Sequence, residues 1–417
     1  MISIAWRSIC NRWATALLAV LAIAMSVALI LTVEKTRRDA RNSFTQTVSG
    51  TDLIIGARSG SVQLLLYSVF RIGSATNNVS WESVEAIQKR SAIKWTIPIS
   101  LGDSHRGYRV LGTTLDYFTH YRYGDKQPLS LTAGDVFDDV FDAVIGSEVA
   151  RELGYQVGDN IVVAHGTGDV ALVEHDKQPF RVSGVLAPTG TPVDQAIHVS
   201  LTGIEAMHID WRNGAPVKGA STPADAIRAM DLQPTAVTAL LVGLKSRATV
   251  FREQRAINTY REEPLLAILP GVALQELWRL VRVAELALMI VSVCVVLAGL
   301  VNLMSVLLAG LSERRREMAV LRSTGARPAH IFLLLCIESL VLTLAGIVAG
   351  LVLHYVLTGI GAIIIRQQFG LSIALTAPHT NDLKILLAIT AAGFIAGTLP
   401  ALQAYRKSLA DGLSQRL

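Results

Sequence analysis

The sequence predicts a membrane protein with four transmembrane α-helices and a large mixed α/β extracytoplasmic domain inserted between helices 1 and 2. Three observations predict it. The 417 residues are 51% hydrophobic and only 17% charged, with a mean hydropathy of +0.43, outside the range of ordinary soluble domains. The apolar excess is confined to one N-terminal segment and the last third of the chain. Arginines cluster beside those segments, as they do at the inner face of a membrane.

The elements follow in order. Residues 1–14 read as a cytoplasmic amphipathic helix. Ile2, Trp6, Ile9 and Trp13 fall on one helical stripe, while Arg7, Asn11 and Arg12 project elsewhere. Trp6, Arg7, Arg12 and Trp13 therefore mark a helix lying along the lipid surface. A plain positively flanked start to the first span gives the same pattern. Residues 15–33 form that span, free of charge from Thr15 to Val33 and long enough to cross a hydrocarbon core of about 20 helical residues. Ala22-Ile-Ala24 resembles a signal-peptidase site but sits inside the apolar run, so the reading is an uncleaved anchor.

Residues 34–283 read as the α/β domain. Ala143-Val-Ile145 has the pattern of a buried strand. Ser147 to Leu153 reads as a helix, and Asn160 to Ala164 and Phe180 to Leu186 as strands. Ala236 to Leu244 is a further strand, followed by a polar helix from Ala248 to Tyr260. Val272 to Val283 is helical and runs straight into the second span, which predicts a stalk. Arg37 to Thr47 is its expected counterpart after the first span. The three cysteines, Cys10, Cys294 and Cys336, all lie in or beside apolar segments, so this domain depends on its own core and not on disulfides. Asp194, His198 and His208, and separately His165, Glu174, His175 and Asp176, raise the question of a metal. No diagnostic ligand spacing accompanies them, and the expectation is no metal.

Residues 284–311 form the second span, 312–330 a cytoplasmic helix and loop, 331–357 the third span, 358–384 a short outer loop, 385–405 the fourth span and 406–417 a cytoplasmic tail. Arg314, Arg315, Arg316, Arg322 and Arg327 in the second-to-third loop, with Arg406, Lys407 and Arg416 in the tail, place that loop and both termini inside. Lys35, Arg37, Arg38 and Arg41, just beyond the first span, pull the other way, but long domains translocate largely regardless of such charges. The net charge of +5 is explained by membrane topology, and no nucleic-acid partner is expected. Within the spans, Asn302 and Glu338 are the main polar residues, and Glu338 is expected to face protein or the inner surface. Asn302, Gly346 and Gly350 are the expected helix-packing residues. The two glycines are four apart, suited to close approach of helices.

The run Glu313-Arg-Arg-Arg-Glu-Met-Ala-Val-Leu-Arg-Ser-Thr-Gly-Ala-Arg327 reads physically as a short amphipathic helix. It exposes arginines around a small patch of Met318, Val320 and Leu321, ends at Gly325, and restarts after Pro328. It also resembles the cytoplasmic signature of the FtsX/MacB/LolC-LolE family of ABC-transporter permeases. Ala5-Trp-Arg-Ser-Ile-Cys-Asn-Arg12 is similar to that family's opening helix, and Pro400-Ala-Leu-Gln-Ala-Tyr-Arg406 to its closing motif. Order, spacing and the one-plus-three arrangement of spans agree along the whole chain.

The resemblance implies a MacB-like periplasmic core domain, a multi-pass protein of the bacterial inner membrane with cytoplasmic termini, and a homodimer. It implies a separate cytoplasmic ATPase of the MacB/LolD type, with room for a periplasmic or outer-membrane partner. ATP and Mg would be used by that ATPase. This chain binds no cofactor by expectation, since it carries no Gly-x-x-x-x-Gly-Lys-Ser/Thr loop, and is not itself an enzyme. Glu313, Arg314, Arg315, Arg316, Glu317, Met318, Leu321 and Gly325 would couple to the ATPase. Hydrolysis would be transmitted mechanically to the outer domain for export or extraction of a substrate. The alternative is a regulatory protein that activates a periplasmic partner. A membrane-bound hydrolase is disfavoured, because neither a Gly-x-Ser-x-Gly elbow nor a zinc-protease motif is present.

Overall fold

A computed structural model describes residues 13–47, 49–165, 173–174, 178–212, 215–217, 222–313, 323, 326–369 and 376–410. The chain divides into two compact units. The helical unit comprises Met1–Asp39, Arg282–Ile364 and Ile373–Leu417, and the α/β unit comprises Ala40–Val281 with Ile365–Ser372.

Along the chain, the principal elements are α1 (Trp13–Thr47), β1 (Leu53–Ala57), α2 (Ser61–Ser68), α3 (Trp81–Gln88), β2 (Ile93–His105), β3 (Tyr108–Thr113), α4 (Asp116–His120), β4 (Leu131–Gly134), β5 (Asp142–Ile145), α5 (Ser147–Leu153), β6 (Phe180–Leu186), β7 (Ala196–Ser200), α6 (Leu201–Met207), β8 (Ala239–Leu244), α7 (Val250–Asn258), β9 (Leu265–Ile268), α8 (Pro270–Glu313), α9 (Pro328–Phe369) and α10 (Thr380–Ala410).

The α/β unit is built on a mixed sheet in the order β9-β1-β8-β2-β3-β7-β5-β6-β4. Most neighbours are antiparallel, and β3–β7 and β5–β6 are parallel. Alternation along the strands divides the core, because successive side chains point to opposite faces. Ile54, Ile97, Ile99 and Leu241 pack with Leu64, Leu65 and Tyr67 of α2 on one face. Leu53, Ile55, Leu240 and Val242 pack with Val84 and Ile87 of α3 and Ile257 of α7 on the other. A third cluster joins Ala143, Ile145, Val182, Ile197 and Val199 to Val149 of α5 and to Ile204 and Met207 of α6. Strand β1 is buried along its whole length, which explains why it reads as a continuous apolar run and not as an alternation. The ring of Trp95 lies across Gly243, where an added Cβ would sit 2.1 Å from the indole. Helices α3 and α6 start at serine caps: the Ser80 and Ser200 hydroxyls accept from the amides of Ser83 and Gly203. Gly154, with φ +71, ends α5.

In the helical unit, four helices are long and apolar enough to cross a membrane. All four run beyond their apolar stretches. Helix α1 has 35 residues and α8 has 44, so at about 1.5 Å per residue each exceeds the roughly 30 Å of a hydrocarbon core. Divisions between the units fall inside α1 after Asp39, inside α8 after Val281 and inside α9 after Ile364. Helix α9 continues to Phe369 and α10 begins at Thr380, which narrows the connection between them.

Candidate functional site

The helical unit is held at crossings where one helix offers small residues to another. Gly346 and Gly350 of α9 lie against α1: Cβ atoms added there would stand 2.6 Å from Ile23 Cβ and 2.7 Å from Val27 Cβ. Gly299 of α8 lies against Ser26 in the same way, at 2.8 Å, and the Ser26 hydroxyl donates to the carbonyl of Val295 at 3.0 Å. Between α9 and α10, Gly393 and Gly397 face Thr343 and Ser339, with an added Cβ 2.4 Å from each side chain. Ser339 donates to the Gly393 carbonyl at 2.8 Å. Where lipid tails are as apolar as the side chains, such close contact and interhelical hydrogen bonds supply the association. The first two crossings share α1, whose Ala19, Ile23, Val27 and Leu31 are buried in one cluster with residues of α8, α9 and α10. Helix α8 instead leaves Leu286, Ile290 and Leu297 mostly exposed, the surface expected of a lipid-facing helix.

Where α1 leaves its apolar run, charge gathers within the helical unit. Arg38 donates through both terminal nitrogens to Asp382 of α10, at 3.3 and 3.1 Å. Asp382 also accepts from the His379 amide at 2.8 Å, so the carboxylate closes the first turn of its helix while it pairs with α1. Lys35, only 4% exposed, lies 2.9 Å from Asp39 and donates to Thr376. Arg37 pairs with Glu34 at 2.9 Å. Thr32 of α1 meets His354 of α9 at 2.9 Å. The three cations of 35–38 thus carry acidic partners. The sequence reading missed this cluster, because its central pair lies 344 residues apart.

The remaining expected residues are placed as follows. Trp13 opens α1 and is 69% exposed. Trp6, Arg7 and Arg12 lie outside the described residues. Glu313 is the last residue of α8, and Arg314, Arg315, Arg316, Glu317, Met318, Leu321 and Gly325 lie outside the described residues. Asn302 is half-buried on α8. Glu338 is 5% exposed, turned into protein. The Gly393-Phe-Ile-Ala-Gly397 pair was overlooked, although its small-xxx-small spacing in the sequence announces it.

In the α/β unit, the histidines and carboxylates near the Pro188–Pro192 loop are engaged separately. Asp194 accepts from the Thr189 amide and hydroxyl and from the Gly190 amide at 2.7–2.8 Å. Burial nonetheless lifts its carboxyl above the usual range. His208 bonds to the Ile204 carbonyl at 2.7 Å. His198 is fully buried, bonds to the Val144 carbonyl at 3.2 Å, and is pushed down to about 3 by burial and by the charge of Arg71. Glu148, beside Arg151, is raised by burial. Among the described residues no three His, Cys, Asp or Glu side chains converge as metal ligands. His175 and Asp176 lie outside the described residues.

Comparison with known proteins places this architecture. The MacB-like periplasmic core domain matches residues 15–258, and the FtsX-like permease C-terminal domain matches residues 289–409. The macrolide export ATP-binding/permease protein MacB of Hyphomonas neptunium is 36% identical over 113 residues, covering 26% of this chain and 16% of that protein. MacB of Nitrobacter winogradskyi is 31% identical over 134 residues, covering 32% of this chain and 20% of that protein. The matched stretch thus spans a fifth or less of these relatives' length. Among solved structures, the periplasmic region of MacB from Actinobacillus actinomycetemcomitans aligns at 14% identity with a TM-score of 0.34, covering 56% of this chain and 97% of that one. The chain is a membrane protein that belongs to the FtsX/MacB-like permease family, with a MacB-like periplasmic core domain and an FtsX-like permease C-terminal region.

Proposed function

We propose that this chain is the membrane-spanning subunit of an ABC transporter, and that it couples ATP hydrolysis by a separate MacB/LolD-type ATPase to movement of its α/β domain. The observation that carries the reading is the pair of family matches, which together account for the four spans and the inserted domain. The reading sets the protein in the bacterial inner membrane as a homodimer, with termini and the 312–330 turn cytoplasmic and the α/β domain periplasmic. ATP and Mg act on the ATPase. Arg314, Arg315 and Arg316 meet acidic groups there, Met318 and Leu321 fill an apolar pocket, and the helix of Trp6 and Arg7 braces the turn at the lipid surface.

Two structural features support mechanical transmission. Helices α1 and α8 are unbroken from their apolar stretches to their ends in the α/β unit. The spans pack through small residues and apolar side chains, and the hydroxyls of Ser26 and Ser339 are bonded to carbonyls of neighbouring helices. A substrate on the periplasmic side, exported or extracted, fits such a device. In the test, the chain and its ATPase are reconstituted together and Arg314, Arg315 and Arg316 are reversed to glutamate. Stimulation of hydrolysis should fall to the level of the ATPase alone while the variant remains membrane-inserted. Full stimulation by the inserted variant would remove the coupling assignment.

A further inference from the structure

Helix α1 finishes and α8 starts inside the α/β unit, which runs from Ala40 to Val281. The two helices are tied to its sheet in different ways. Strand β9 ends at Ile268 and α8 begins at Pro270, so α8 follows the sheet across Leu269 alone. Helix α1 ends at Thr47 and β1 begins at Leu53, a longer connection. Connecting backbone yields more readily than packed side chains, so α1 depends on its contacts for a firm hold.

Those contacts converge on α2. Ala273, Leu274, Leu277 and Trp278 share one face of α8 at helical spacing. They pack on the cluster that contains Leu64 and Leu65 of α2 and Phe70 beyond it. Phe44 of α1 packs on the same cluster. Its ring centroid lies 4.3 Å from that of Phe70 and 5.5 Å from that of Trp278, which it meets edge to face. The Arg41 guanidinium lies over the indole at 5.4 Å, a favourable place for a cation. Glu276 accepts from the hydroxyl of Ser61, the first residue of α2, at 2.5 Å. The Thr47 carbonyl, at the end of α1, accepts from the buried Tyr121 hydroxyl at 3.0 Å. Trp278 is common to both helices: it belongs to α8, touches Arg41 and Phe44 of α1, and packs on the α2 cluster. Rings suit such a place, because few torsions hold a large contact area. Coupling between distant sites is carried by packed side chains and rigid elements of this kind.

We propose that Trp278, Phe44 and Phe70, with the Glu276–Ser61 bond, form a joint that locks α1 to α8 and both to α2, and that movement of the spans reaches the sheet through it. The proposal rests on the coupling reading above and adds the residues that carry movement into the α/β domain. They are positioning residues and take no part in the grip on the ATPase.

The test follows distances between the two copies of the dimer, reconstituted with its ATPase in nanodiscs. The native cysteines are first replaced (Cys10→Ser, Cys294→Ser and Cys336→Ser). Spin labels are then placed, in separate samples, at Val283→Cys on α8, 75% exposed, and at Thr132→Cys on β4, also exposed. Double electron–electron resonance is recorded without nucleotide and with ATP, Mg and vanadate. The first label reports the spans and the second the sheet. With the joint intact, both distances should shift. Trp278→Ala should keep the Val283 shift and the stimulation of hydrolysis but lose the Thr132 shift. Trp278→Phe, which restores a ring, should recover it. Ile257→Ala loosens the opposite face of the sheet and should keep both shifts. A Thr132 shift that survives Trp278→Ala would overturn the joint and leave the coupling reading standing. Loss of both shifts in Trp278→Ala, or loss of the Thr132 shift in Ile257→Ala, would do the same. No Val283 shift with the joint intact would overturn the coupling reading, and the joint with it. If Trp278→Ala does not fold, Phe44→Leu, which stays apolar and removes both ring contacts, is judged by the same outcomes.

Discussion

Acidification tests the packing of the α/β domain at one residue. His198 is fully buried and held neutral down to about pH 3 by desolvation and by Arg71. Unfolded, the same imidazole takes a proton below about 6.5. The unfolded chain therefore binds more protons between those values, and stability is lost as pH falls through that window. From neutral pH to pH 5 the loss is about 2 kcal/mol, from about 1.4 kcal/mol per unit over the 1.5 units below 6.5. For a domain of this size that is a fall in Tm of roughly 4–8 °C. The assay is tryptophan-detected thermal unfolding of the full chain, wild type against His198→Gln, at several pH values between 7.5 and 5. Asp194 and Glu148, both raised by burial, act with the opposite sign, but they are common to both proteins and cancel in the difference. The wild type should lose about 2 kcal/mol more than the variant by pH 5. Parallel curves would show that His198 is not a neutral, desolvated group.

Other outcomes follow from the helical unit and the sheet. Gly346→Leu or Gly350→Leu should cost about 1–3 kcal/mol by overpacking against α1, read as a lower thermal midpoint in detergent, while Gly359→Ala, with open space around its Cα, should leave the midpoint unchanged or raise it slightly. Arg38→Gln and Asp382→Asn, taken singly and together, should show a coupling of about 1–3 kcal/mol, because the pair is bidentate and mostly buried; additive effects would make it incidental. Gly243→Ala should destabilise the α/β domain by about 1–3 kcal/mol, since the new methyl meets the Trp95 ring. An alkaline phosphatase reporter fused after residue 200 should be active, and one fused after residue 320 should not.

The sequence made the spans legible because hydrocarbon imposes a long uncharged run on any helix that crosses it. It also revealed α5 and β6 in the α/β domain, where an apolar pattern is bounded by glycine, as at Gly154. Strand β2, with 13 residues, was harder to see, since Pro98 and Gly102 interrupt it and its two ends join different parts of the sheet. The glycine pair of α9 was readable from its spacing, and that of α10 was equally readable but passed over. The Arg38–Asp382 pair and the Phe44–Trp278 contact were not readable, because each depends on which helix or strand lies beside which, and single-chain periodicity carries no such information.

The central claim is that a separate ATPase grips this permease at the turn between its second and third spans. A photo-crosslinking amino acid in place of Met318, in membranes that also contain the ATPase, measures it directly. The account predicts an adduct between the two chains that forms in inside-out vesicles and disappears when Arg314, Arg315 and Arg316 are reversed to glutamate. No adduct with the ATPase, or labelling of this turn from outside intact cells, would contradict it.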